Sequence, residues 1–96
     1  MTNSQRFKSV WDALEDSPEQ AENMKLRAEL MTEIRQYVES LNMTQQAAAK
    51  SLGLTQPRLN ELLRGRLDRF SLDKLVNVLA RAGKHVTLTV SDHQVA

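Results

Sequence analysis

Apolar residues recur at three- and four-residue intervals through most of this chain, and each such stretch opens on a hydroxyl residue that can cap a helix. Ser9 stands before a helix running to about Asp16, in which Phe7, Val10, Trp11 and Leu14 form an apolar patch with Phe7 outside the cap as a staple. Ser17-Pro18-Glu19-Gln20 is a stronger start: a capping serine, proline at the first helical position and glutamine three residues after the cap. From Pro18 to about Leu41 no glycine or further proline intervenes. Lys25, Glu29, Thr32, Glu33, Gln36, Glu39 and Ser40 fall on one side, while Met24, Leu26, Ala28, Leu30, Met31, Ile34, Tyr37, Val38 and Leu41 fall on the other. That apolar arc covers about 200°, wider than the roughly 100° a surface helix needs for one core, so part of it is expected to meet the Trp11 segment or a second copy of the chain.

Three shorter helices follow. Thr44 caps about Gln45 to Leu52, ended by Gly53; Thr55 caps about Gln56 to Arg64, ended by Gly65; Ser71 caps about Leu72 to Ala82, ended by Gly83. Pro57 lies in the first turn of its helix, where a missing N–H costs little. From Lys84 to Val90 the period changes to two: Val86, Leu88 and Val90 alternate with His85, Thr87 and Thr89, which predicts a strand. A lone strand leaves its backbone groups unpaired, so Val86, Leu88 and Val90 are expected to pair with the same strand of a second copy, or with a partner protein. The expected architecture is all-α: a five-helix bundle in a single domain over residues 1–96, with one C-terminal β-strand pairing across a dimer. Within it, residues 1–17 form an arm, 18–83 a helical core, 84–90 the dimerisation strand and 91–96 a tail.

Composition narrows the class. The 96 residues are 41% hydrophobic and 26% charged, an ordinary globular mixture. A chain this short gains from association, which again points to a dimer. With no cysteine, disulfides and thiolate metal sites are excluded, and a reducing compartment fits. No apolar run approaches the roughly 20 residues of a membrane span, and no apolar signal-peptide core opens the chain, so a soluble, cytoplasmic protein is expected. The net charge is only +1, but it is unevenly spread: residues 1–42 sum to −3, residues 43–70 to +3 and residues 71–96 to +1. An acidic first half joined to a basic middle implies two surfaces with different partners.

Residues 45–64 carry the most specific pattern. Two short capped helices are joined by a tight turn at Gly53, with Ala49 small enough for close helix approach and Ala48, Leu52, Leu54, Leu59 and Leu62 to lock the pair. This is the spacing of a helix-turn-helix. The run from Thr44 to Leu59, followed by the basic loop and Ser71-Leu72-Asp73-Lys74-Leu75, resembles the phage repressor and Cro type of helix-turn-helix, the XRE family, over roughly residues 24–83. The resemblance implies a lambda-repressor-like bundle in which the second helix of the pair enters the major groove of double-stranded DNA. More narrowly, Phe7 to Leu14, the acidic stretch to Arg27 and the closing segment resemble HigA-family antitoxins of toxin–antitoxin operons. That likeness implies a homodimer on a palindromic operator and neutralisation of a RelE/HigB-like toxin. A stand-alone phage-repressor-type transcription factor, or a protein-interaction module without DNA binding, are the alternatives.

The residue chemistry agrees with DNA reading. Gln56 can pair bidentately with adenine and Arg58 with guanine, which makes these two the main candidates for base contact. Gln45 and Gln56 fall where lambda-repressor-like proteins place a glutamine pair, the first supporting the second. Gln45, Lys50, Thr55 and Asn60 could instead hold phosphates, with Arg64, Arg66 and Arg69 adding positive charge and the helix starts at Gln45 and Gln56 adding backbone donors. Pro57 departs from the polar residue usual at its position, so its contact would be apolar. The only histidines, His85 and His93, lack the neighbours of a nucleophile or a metal site, and Gly53, Gly65 and Gly83 are isolated helix stops rather than a phosphate loop. No enzyme activity, cofactor or metal is expected.

Overall fold

The computed structural model describes residues 17–92. Four α-helices occur among them: α1 (Pro18–Leu41), α2 (Gln45–Leu52), α3 (Gln56–Leu63) and α4 (Leu72–Arg81), with a 3-10 turn at Leu67–Arg69 between α3 and α4. Each starts at a hydroxyl cap. Ser17, Thr44, Thr55 and Ser71 accept the backbone N–H of Gln20, Ala47, Arg58 and Lys74 respectively, satisfying donors that the helix itself leaves orphaned. The α1 cap is reinforced by the Ser17 hydroxyl, which donates to the Glu19 carboxylate at 2.9 Å.

The end of α2 shows how the chain turns. Gly53 adopts φ 73°, its N–H donates to the Lys50 carbonyl at 3.2 Å, and the Leu54 N–H reaches back to the Ala49 carbonyl at 2.9 Å. This paired closure needs the left-handed conformation, which glycine takes without a Cβ penalty.

One core joins the four helices. Met31, Ile34 and Val38 of α1, Ala48, Ala49 and Leu52 of α2, Leu59 and Leu62 of α3, Phe70, and Leu75, Val78 and Leu79 of α4 are all buried. Leu30, Tyr37 and Leu41 pack half-buried at its margin, whereas Leu26 remains 41% exposed, so the apolar arc of α1 is wider than the surface that covers it. Among the described residues no helix is long and apolar enough to cross a membrane.

Two expectations need correction. Four α-helices are present among the described residues rather than five; the helix expected from Ser9 to Asp16 lies outside them. The expected β-strand is also absent: residues 84–92 carry no strand, and there is no β-structure elsewhere among the described residues. The reason is that period-two alternation specifies which way side chains face, while a strand exists only where its backbone has a second strand to bond. The described remainder of the chain is helical and offers no such edge. After the Lys84 N–H donates to the Leu79 carbonyl at 2.9 Å, the segment carries no regular structure: Lys84 to Thr87 line a hollow with Leu30, Glu33 and Tyr37 of α1, and beyond them Leu88 is 79% and Val90 85% exposed.

Candidate nucleic-acid interface

The α2–α3 pair places its polar residues by helical geometry. Leu59 and Leu62 point inward with no exposed surface, which turns Gln56, Pro57, Asn60 and Arg64 outward. Gln56, Asn60 and Arg64 stand four residues apart and therefore share one face. Gln45, the first residue of α2, joins them: Gln45, Gln56, Pro57 and Asn60 line one shallow hollow. The structure thus brings the two leading glutamines of the motif together.

The two helix starts differ in what backbone they offer. At α2 the Thr44 hydroxyl takes the Ala47 N–H, leaving those of Gln45 and Gln46 without an intrahelical acceptor. At α3 the Thr55 hydroxyl takes the Arg58 N–H and Pro57 has none to give, so only the Gln56 N–H remains. Thr55 is therefore occupied as a cap through its side chain. An anion at the start of α2 would meet more donors than one at the start of α3.

Arg58 is held on a different flank. Its guanidinium stacks over the buried Phe70 ring at 4.2 Å and donates through Nη1 to Glu61 Oε1 at 3.2 Å. It lines a second hollow with Arg27, Asp68, Arg69, Phe70, Ser71 and Lys74, away from the Gln45–Gln56 hollow. Glu61 and Asp68 link the neighbouring arginines: Arg69 lies 3.8 Å from each of them, and Arg66 lies 3.6 Å from Asp68. The result is an alternating chain of charge, Arg58–Glu61–Arg69–Asp68–Arg66, with three cations against two carboxylates. By contrast, Lys50 and Arg64 are exposed and make no ion pair among the described residues.

Sequence reasoning did not foresee the role of two arginines in α1. Arg35 donates through Nη2 to the Leu63 carbonyl at the end of α3, at 2.7 Å. Arg27 donates through Nη1 to the Leu67 carbonyl at 2.6 Å and to the Phe70 carbonyl at 3.4 Å, while its Nε is buried without an acceptor. A cation suits the Arg35 site because the last carbonyls of a helix carry partial negative charge, whereas the Arg27 acceptors are loop carbonyls. The Arg58–Glu61 pair had a local signal in its three-residue spacing. Arg27 and Arg35 had none, since their acceptors lie 28 to 43 residues further along the chain.

A comparison with curated proteins gives no match. A family model described as a helix-turn-helix domain matches residues 13–91, which includes all four helices and most of the segment after α4. With its two capped helices, the glycine turn between them and a match over most of its length, the chain belongs to the helix-turn-helix domain family.

Proposed function

We propose that this helix-turn-helix protein is a sequence-specific transcriptional regulator, binding double-stranded DNA at a palindromic operator as a homodimer and catalysing no reaction of its own. The observation that carries the reading is the shared hollow of Gln45, Gln56, Pro57 and Asn60 on the outward face of α2 and α3. Gln56 and Asn60 offer the donor and acceptor pairs that adenine recognition uses, Gln45 supports Gln56, and Pro57 presents an apolar surface suited to a thymine methyl. Lys50 and Arg64 flank that face as unpaired cations for phosphate, and the free N–H groups at the start of α2 add neutral donors. Arg58, engaged with Phe70 and Glu61, serves better as a flank contact than as a base reader.

We further propose that the regulator is an autorepressing antitoxin acting in the cytoplasm. This rests on the HigA-like features of the sequence and on the division of charge: Glu22, Glu29, Glu33 and Glu39 are all exposed on α1, a face whose sign suits a basic ribonuclease of the RelE/HigB kind.

The test is duplex binding by fluorescence anisotropy on the promoter of the protein's own gene, across a salt series. Several phosphate contacts predict a steep loss of affinity with salt. Gln56→Ala is expected to cost about 1–3 kcal/mol and to relax preference at one base pair. Unchanged affinity and unchanged preference in that variant would remove Gln56 from the reading face. Co-purification with the product of a neighbouring small basic reading frame tests the antitoxin role, and a failure there leaves a stand-alone regulator.

A further inference from the structure

The loop from Arg64 to Phe70 carries three arginines, yet its backbone is bonded within itself only by short-range turns: the N–H groups of Leu67, Arg69 and Phe70 donate to Gly65, Arg66 and Leu67. Side chains of α3 touch it through Arg58 over Phe70 and Glu61 beside Arg69, while its backbone carbonyls are held from α1. Arg35 holds the Leu63 carbonyl, where the loop departs from α3, and its Nη2 lies 3.8 Å from where a Cβ on Gly65 would sit. Arg27 holds the Leu67 and Phe70 carbonyls, where the loop returns. Eight residues separate the two arginines, which is about 12 Å along the α1 axis, so α1 grips the loop at both ends.

Charge pairing sharpens the contrast. Arg58, Arg66 and Arg69 each face a carboxylate, whereas neither Arg27 nor Arg35 has one among the described residues. Their charge is spent on carbonyls. At the Arg27 site a single nitrogen, Nη1, serves both carbonyl oxygens, the Leu67 bond at 2.6 Å being the short one and the Phe70 bond at 3.4 Å the long one.

We propose that Arg27 and Arg35 are positioning residues of the DNA interface: they strap the Arg64–Phe70 loop to α1 and so set where Arg64, Arg66 and Arg69 meet the phosphate backbone. The inference rests on the DNA-binding reading above and deepens it. The straps govern the phosphate grip and leave base choice alone, because both arginines bond backbone carbonyls at the ends of the loop and neither bonds Gln45, Gln56 or Asn60.

Arg35→Met and Arg27→Met, which keep much of the side-chain length and remove the donors, separate positioning from simple stability. Binding is measured well below the unfolding midpoint of each variant, on the operator and on an unrelated duplex, over a salt series. Each is expected to weaken both duplexes by a similar factor, about tenfold, and to make the salt dependence shallower by about one ion. The deciding measurement is a double-mutant cycle with Arg66→Ala: if the straps act through the loop arginines, Arg66→Ala loses less in the Arg35→Met background than in the native chain. Additive losses, or unchanged affinity and salt dependence in a folded variant, overturn the proposal. Should Arg27→Met fail to fold, Arg27→Lys keeps the charge and replaces the guanidinium by a shorter ammonium that has to reach the same two carbonyls, and it enters the same cycle under the same criterion. A native chain that binds no duplex defeats the DNA-binding reading and this inference together; native binding with additive variants defeats this inference alone.

Discussion

Replacing Gly53 by alanine tests the turn on which the geometry of the helix pair depends. With φ at 73°, an L-residue there pays about 1–2 kcal/mol for the left-handed backbone, less the roughly 0.4–1 kcal/mol by which alanine restricts the unfolded chain. A second contribution comes from α4. A Cβ at Gly53 would stand 3.0 Å from Arg81 Cζ and 3.2 Å from Arg81 Nε. Arg81 is exposed and long, so its guanidinium can swing aside, and this adds at most about 0.5 kcal/mol, the low end of the cost of an off-rotamer side chain. The net expectation is about 1 kcal/mol of lost stability, or a fall of about 4–8 °C in Tm for a chain of this size. Urea denaturation followed by helical circular dichroism gives the value, provided the slope with denaturant stays unchanged. Gly83→Ala serves as the control, since Gly83 has φ 79° and nothing within 4 Å of its Cβ position, so it reports the backbone cost without the Arg81 contact. A Gly53→Ala midpoint equal to that of the native protein would refute the left-handed turn. If Gly53→Ala exceeded Gly83→Ala by more than about 1 kcal/mol, the claim that Arg81 yields easily would fail instead.

Two further outcomes follow from the charged groups. Asp68→Asn removes the one carboxylate that Arg66 faces among the described residues and one of the two that Arg69 faces, so affinity for unrelated duplex DNA should rise severalfold, by anisotropy at fixed salt, with little change in stability, because exposed ion pairs contribute only about 0–1 kcal/mol. Glu19 is held below the ordinary carboxylate range by its own backbone N–H and by the Ser17 hydroxyl. A lowered native value means that its stabilising effect is complete above the unfolded pKa and is lost as pH falls through the native one, so Glu19→Gln should flatten that acid portion of the stability profile measured by urea titration.

The starts of the four described helices were legible in the sequence because they depend on local chemistry: a hydroxyl at Ser17, Thr44, Thr55 or Ser71 reaches an N–H three residues ahead, and no distant residue takes part. The Gly53 turn was legible for the same reason. The segment after Gly83 was misread because alternation at Val86, Leu88 and Val90 is a side-chain signal, whereas a strand is a relation between two backbones. At the candidate interface, the grouping of Gln45 with Gln56 is what the resemblance to lambda-repressor-like proteins implies, and both line one hollow. Arg58 shows the limit of residue type as a guide. Its chemistry suits guanine, but the Phe70 ring, twelve residues on, occupies its flat face. Arg27 and Arg35 were invisible as anything but charge within an acidic half, since backbone carbonyls carry no sequence signature.

The division of labour within α3 has a consequence for how such a protein can change over evolutionary time. Leu59 and Leu62 are sealed in the core, while Gln56, Pro57 and Asn60 are exposed beside them on the same eight-residue helix. On the proposed reading, substitutions at the exposed positions change target preference and leave the packing untouched, so preference drifts one position at a time without passing through unfolded intermediates. The inward leucines have no such freedom. Paralogues that diverge in operator should therefore vary at 56, 57 and 60 against a nearly constant 59 and 62, and a library randomised at those three positions alone should remain folded while it samples new DNA sequences.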